Sequence, residues 1–531
     1  MLKNHNTVIS TATNMATDDC DVLIIGAGIS GIAMACYLQE QQPHKRFMIV
    51  EKRESLGGTW DIFRYPGVRS DSDMLTLGYG FAPWLQSSTL AKGEDIKQYL
   101  KQIAHKYDVQ QHIRYGCMVT QLTWSSDSKQ WTATIKNTQT KEVTQIIAKF
   151  VVGATGYYDT EQGYQPQFED QQEFTGQIIH PQNWQDVDYD GKDVVVIGSG
   201  ATAMTLVPAL VDKTAEQCAH HVTMIQRSPT YVASIHGRDK LLEILDKCAT
   251  ALDKKQPYNK HNKPLYKKRL YELMRWRNLL LQQGIYQFAT RAPKAMKAIL
   301  THKVKQALKG SDVSLKHFSP SYDPWDERLC AVPDDDLFQA LQSGSADVVT
   351  GQIKRFSASA VVMQDGQEIA ADIIVTATGL KLQMLGGAKV CVDDTFIDVG
   401  DCLTYKAVMI GDVPNMAILF GYTNASWTLK IELACQYLMR LFDYMDKQNV
   451  QVVVAKTEAN YQHQKNDNKK TRVHKLTETV MGSLSAGYIK RAQDDLPKQG
   501  DCYPWRVEHN YLKDRRMLLK DSIEDEWLVF A

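Results

Sequence analysis

The sequence predicts an α/β protein made of two Rossmann-like dinucleotide-binding domains, the second inserted within the first and itself carrying a helical insertion. Three observations predict it. Two glycine-rich loops each follow a short apolar strand and open an apolar helix; two further apolar segments, Val151 to Gly156 and Ile373 to Gly379, end in the string ATG; and 531 residues are ample for two α/β domains with sizeable cores.

Taken in order, residues 1–19 are polar, lack the charged-then-apolar plan of a signal peptide, and read as a disordered extension. Asp21 to Ile25 is a β-rich apolar run feeding GAGISG, where Gly26, Gly28 and Gly31 fit G-x-G-x-x-G around Ser30. The three glycines serve a tight turn, close backbone approach to a pyrophosphate, and close packing of the helix Ile32 to Gln39 on its strand; that helix aims free N–H groups at the phosphates. The next strand, Phe47 to Val50, ends in Glu51, whose carboxylate can accept hydrogen bonds from unmodified ribose hydroxyls. The run Val22 to Leu38 has the apolar look of a membrane span, but glycines placed for a phosphate loop favour the soluble reading. After Glu51, ESLGGTWDIFRYPGVRSDSDM is rich in Gly, Pro, aromatics and charge, a composition for a loop that covers a bound ring. There Gly57 and Gly58 permit close backbone approach, Thr59 precedes the aromatic face of Trp60, and Arg69 and Asp71 supply opposite charges.

The second loop follows Asp193 to Ile197 and reads GSGATA (Gly198, Ser199, Gly200, Ala201, Thr202, Ala203). Its following strand, Val222 to Ile225, leads to Arg227, and a guanidinium there suits a 2′-phosphate that a carboxylate would repel. The expectation is an adenine dinucleotide with free ribose on the first site and NADPH on the second, hence redox chemistry. If the ATG strands mark where the chain leaves and re-enters the first domain, that domain comprises 20–156 and 370–531, and the second 157–369. Between about His236 and Gly310 lies a basic helical stretch, with Lys267, Lys268, Arg269, Arg275 and Arg277 among Leu270, Leu273, Trp276 and Leu279 to Leu281. It reads as a helical subdomain with its apolar face on the core and its charges in water; contact with a membrane surface is the rarer alternative. Glu458 to Lys475 reads as a polar loop or helix edge. A net charge of zero gives no electrostatic case for nucleic acid. The ten cysteines contain no C-x-x-C pair, which excludes a dithiol mechanism and fits a reducing cytoplasm; no metal site is expected.

From Asp21 to Trp427 the chain resembles the class B flavoprotein monooxygenases, specifically the Baeyer–Villiger monooxygenases and in particular their mycobacterial thioamide-activating type. The resemblance is carried by GGTWDIFRYPGVRSDSDM and by the fingerprint F-x-G-x-x-x-H-x-x-x-W, matched at Phe174, Gly176, His180 and Trp184. It continues in GSGATA followed by QRSPTY, in WDERLC (Trp325 to Cys330), in the second ATG and in GYTNASW (Gly421 to Trp427). It departs at Gln185, where Pro or Asp usually follows the fingerprint tryptophan.

This resemblance implies FAD on the first site, NADPH on the second, hydride transfer between them, and oxygen activation as a C4a-peroxyflavin that converts ketones to esters or lactones and also oxidises sulfides. It gives Arg328 the role of active-site arginine and Asp71 that of orienting it, places Asn424 and Trp427 near the flavin, and assigns His180 to domain coupling. Many ketone-oxidising members carry a lysine before that arginine; here Glu327 stands there, so the 2′-phosphate rests mainly on Arg227. The alternatives are a flavin monooxygenase devoted to S- or N-oxygenation, an NADPH oxidase or flavoprotein reductase, and a non-catalytic flavin-binding scaffold.

Overall fold

The computed structural model describes residues 18–254, 265–327, 329–423, 425–458, 473–482 and 487–531. Strand β1 (Asp18–Ile25), helix α1 (Ile29–Gln41) and strand β2 (Phe47–Val50) form the first βαβ unit. β1 runs parallel to β2 on one side and to β3 (Val143–Gly153) on the other. Buried on both faces, it reads as a continuous apolar run rather than an alternating one. Asp18 and Asp19, placed in the extension by sequence, pair with Ile146 and Ile147, so the strand starts before residue 20. Residues 1–17 lie outside the described part, as does most of the polar run after Glu458. A Cβ on Gly31 would sit 1.9 Å from the Gly26 carbonyl oxygen, so α1 packs on its strand at a distance that only glycine allows.

From β3 the chain crosses out through β4 (Tyr158–Gly163), passes β5 (Gln177–Ile179) and builds the second unit from β6 (Asp193–Ile197), α2 (Ala201–Leu210) and β7 (His221–Gln226). A helical excursion follows, formed by α3 (Lys240–Lys254), α4 (Leu265–Arg291) and α5 (Pro293–Ala307); β8 (Ala346–Thr350) and β9 (Ile373–Thr376) then complete the second sheet. Its order is β8-β7-β6-β9-β5, parallel throughout. β9 therefore belongs to the second sheet, against the boundary at residue 370. All four of its residues are buried, and such a strand reads alike in either sheet; pairing with β6, not composition, decides its place. The chain returns after Gly379 through β10 (Leu380–Leu382), antiparallel to β4, then adds α6 (Trp427–Gln448) against α1 and the short helix α7 (Gly487–Arg491).

The fingerprint residues surround this crossover. His180 is buried, its Nε2 3.3 Å from the Gly379 carbonyl, and its Nδ1 accepts from the Gln182 backbone N–H. Gln182 in turn donates to the Asp159 carbonyl on β4. A Cβ on Gly163 would lie 1.8 Å from the imidazole, and one on Gly176 2.2 Å from the Asp372 carbonyl oxygen. Phe174 and Trp184 are buried, against Phe356 and Tyr189 respectively. Burial lowers the His180 pKa below its ordinary 6.5, although the Gly379 carbonyl favours the proton.

α4 is clamped to the first domain. Arg275 donates through Nη1 to the carbonyls of Leu75 and Thr76 at 2.9 and 3.1 Å and to that of Gly78, and through Nη2 to Glu432 on α6 at 2.5 Å. The core face of α4 is formed by Tyr271, Met274, Leu279 and Ala289. Of the apolar residues expected on that face, Leu279 is buried and Leu270 half-buried, whereas Leu273, Trp276, Leu280 and Leu281 are exposed. Periodicity reveals that an apolar stripe exists but not which side meets the core.

Two outcomes follow. Replacing Arg275 by Met leaves the Glu432 carboxylate buried without its cation and is expected to cost about 3–5 kcal/mol, read as a lowered thermal midpoint that Arg275→Met/Glu432→Gln partly restores. For His180, the unfolded chain takes up a proton near pH 6.5 while the folded protein resists it, so stability is full above that pH and falls as pH drops toward the lower folded value. His180→Gln should show a smaller loss of thermal midpoint than the parent between about pH 7.5 and about pH 5.5; an equal loss would refute the assignment.

Candidate active site

Both glycine loops open into one cavity of about 1680 Å³, beyond the ~300–1,000 Å³ usual for one drug-sized ligand. From the first domain Gly26, Gly28, Ser30, Glu51, Gly58, Thr59, Trp60 and Asp71 line it; from the second come Gly198, Ser199, Gly200, Ala201, Thr202 and Arg227. Gly31 and Ala203 sit behind, in the helix-on-strand packing, and the fingerprint residues stay at the crossover, off the cavity wall. Arg328 and Asn424 lie outside the described residues; Glu327, Leu329 and Cys330 beside the one, and Thr423 and Ala425 beside the other, line the cavity.

On the first side, α1 begins at Gly28 with no side-chain cap, leaving its first N–H groups for an anion. Gly58 takes φ +55°, and a Cβ there would stand 3.0 Å from Gly28 Cα, so the covering loop and the phosphate loop touch backbone to backbone. Glu51 accepts from the backbone N–H groups of Ala27 at 2.8 Å and Arg53 at 3.0 Å. Burial raises its pKa despite those two donors. The covering loop is tied down by Asp61, which the sequence reading did not single out: Arg53 and Lys97 reach its carboxylate at 2.6 and 2.5 Å. Burial opposes its ionisation, but the two cations prevail and lower its pKa. Trp427 donates from its indole N–H to Ser30 Oγ at 2.9 Å and stacks on Tyr157, both rings on the wall.

On the second side, α2 likewise starts at Gly200 without a side-chain cap, and a Cβ on Gly200 would meet nothing within 4 Å. Gly198 cannot carry a Cβ, which would fall 2.2 Å from the Ala377 carbonyl oxygen. Arg227 shares its surroundings with three charges. Burial raises the Glu327 pKa while Lys490 and Arg227 oppose the rise; burial lowers that of Arg491, with Arg227 adding to it. Arg491 stacks its guanidinium 3.5 Å from the centre of the Tyr164 ring, and both line the cavity. Lys490 and Arg491 arrive on α7, too far along the chain for any local motif to reveal them. They bring two cations to the side of the cavity where Glu327 stands.

The covering loop also bridges to the second domain. Tyr65 is buried in the second core, where burial pushes its phenol up to about 12 although Thr202 bonds it. Arg69 donates through Nη1 to Asp336 at 2.7 Å. Its buried Nε and Nη2 find no partner among the described residues. Arg69 lines the cavity too, so these donors fit an acceptor-rich ligand such as a dinucleotide.

The family described as "Pyridine nucleotide-disulphide oxidoreductase" matches residues 23–237, a span that includes both glycine loops. None of the ten cysteines is joined in a disulfide. The chain is 45% identical to the probable FAD-binding monooxygenase AlmA of Acinetobacter baylyi over 96% of each chain. It is 43% identical to the FAD-containing monooxygenase EthA of Mycobacterium tuberculosis, over 97% of this chain and 98% of that one. The open crystal structure of cyclohexanone monooxygenase matches with a TM-score of 0.66 at 20% identity, covering 83% of this chain and 90% of that one, a likeness of fold. With identity of this level sustained over nearly its whole length, the chain belongs to the family of FAD-containing monooxygenases.

Proposed function

We propose that the chain is an FAD-dependent, NADPH-consuming Baeyer–Villiger monooxygenase that inserts one atom of O2 into a ketone, giving an ester or lactone, while the other atom leaves as water. One observation carries the reading: two glycine loops, the covering loop and the segment around Arg328 share a single cavity, so two dinucleotides and a substrate can meet. FAD, when bound along the first loop, supplies the hydride acceptor and the centre for oxygen activation.

The chain's own residues do the rest. The N–H groups at the start of α1 hold the pyrophosphate, and Glu51, fixed by its bonds to the Ala27 and Arg53 backbone N–H groups, accepts from the ribose hydroxyls at its remaining lone pairs. The start of α2 holds the second pyrophosphate, while Arg227, Lys490 and Arg491 bind the 2′-phosphate. Tyr157 and Trp427 form an apolar wall that helps to exclude water from the reacting centre. Arg328 supplies a fixed positive charge where negative charge develops on oxygen, typically worth about 3–4 kcal/mol in a dry site, and Asp71 orients it. His180 at the crossover couples domain movement to NADPH binding. Sulfide oxidation is a second activity of the same site.

Aerobic turnover of a panel of ketones and thioethers, with product analysis by mass spectrometry, tests the reading: esters or lactones are expected, and NADPH consumption yielding only hydrogen peroxide would overturn it. Arg328→Ala is expected to abolish ester formation while flavin reduction by NADPH stays nearly intact; ester yield close to the parent's would remove the assignment. Arg227→Ala should raise KM for NADPH about tenfold, roughly one charge-assisted hydrogen bond, with little change for NADH. Arg491→Ala should act in the same direction if the three cations share the phosphate.

A further inference from the structure

Seventeen large apolar side chains stand exposed among the described residues, and twelve of them lie on α3, α4 and α5. On α4 they follow helical spacing along one side, through Leu265, Leu273, Trp276 and Leu280, opposite the buried Tyr271 and Met274. α3 repeats the pattern, with Leu241, Ile244 and Leu252 exposed while Leu242 and Ala249 are buried. A soluble monomer rarely gathers so many exposed large apolar side chains on one group of helices; such a surface marks a place that something covers.

Charge identifies the occupant. The whole chain is neutral and α3 sets three lysines against three acids, yet α4 and α5 together carry ten Lys or Arg against the single acid Glu272, and six of the ten stand outside the pairs Lys267–Asp246, Lys268–Glu272, Arg275–Glu432 and Arg277–Asp239. An isologous contact between two copies would set these cationic faces against each other. An anionic lipid surface instead pairs with the cations and takes up the leucines and the indole at the depth of its headgroups and first methylenes. No helix among the described residues is long and apolar enough to cross a membrane, so the geometry is that of helices lying in the interface. Leu281 and Ile285, also exposed, lie on the other side of α4 from that stripe and line the cavity wall.

We propose that α3, α4 and α5 form a docking surface for the anionic face of a lipid bilayer.

The test uses the full-length protein and vesicles of phosphatidylcholine with or without phosphatidylglycerol, the bound fraction being read by flotation. Binding to the phosphatidylglycerol vesicles is expected, weaker at high salt and weaker still on phosphatidylcholine alone. Leu273→Glu/Leu280→Glu, both positions away from the cavity wall, should lower the bound fraction about tenfold or more with flavin content and thermal midpoint unchanged. Should that variant fold poorly, Lys268→Gln/Arg269→Gln probes the same surface through charge alone and should flatten the salt dependence. Failure to float with anionic vesicles, or equal binding by parent and a folded variant, overturns the proposal. So does an oligomer that the Leu273→Glu/Leu280→Glu change converts to monomer without altering vesicle binding, because the covering partner is then a second copy.

Discussion

The antiparallel pairing of β4 with β10 is the constraint on which the architecture depends. Each is the segment by which the chain passes between the two sheets, so their register sets how the two glycine loops face one another. The imidazole of His180 fills the space beside them, held by a carbonyl from the returning strand and pressed so closely on Gly163 that no larger residue fits there. A buried neutral imidazole with one acceptor and one donor is satisfied in a single tautomer and orientation, which fixes the ring between the two crossing strands. The fingerprint residues thus lie at the joint between domains and off the cavity wall.

Charge holds the rest of the wall in place. Asp61 gathers two cations under the covering loop, Arg69 reaches across to Asp336, and Arg275 ties α4 to α6 through Glu432. Each pair gains little over an apolar replacement, because desolvation offsets most of the attraction, but removing one partner strands the other. Such pairs act less as a reservoir of stability than as a specification of position. They fix the covering loop between the two phosphate loops, where a floppy segment would expose the cavity to water.

The parts legible in the sequence were those whose physics is local. A glycine that cannot bear a Cβ, a carboxylate at a strand end and a guanidinium at the corresponding place in the second unit each follow from a few neighbouring residues, and the strands Phe47–Val50 and Asp193–Ile197 fall where the apolar runs placed them. What escaped depends on distant segments meeting. β9 was ascribed to the wrong sheet because an all-buried strand has no sided pattern to betray its partners. The cations of α7 meet Arg227 only through folding, and Trp427 finds Ser30 from 397 positions away. On α4 the periodicity was correct and the side was not: a helix packed by a narrow face of Tyr271, Met274 and Leu279 leaves its longer apolar stripe outward.

The insertion also orders events at the ribosome. All five strands of the second sheet lie in one contiguous stretch ending at Thr376, so that unit can close as soon as its last strand emerges. The first sheet cannot. α1 waits for α6, and β3 for the strand Met416–Ile418 that pairs along it. Until those later segments emerge, the nascent first sheet carries an apolar flank with no cover, the kind of surface through which partly made chains aggregate.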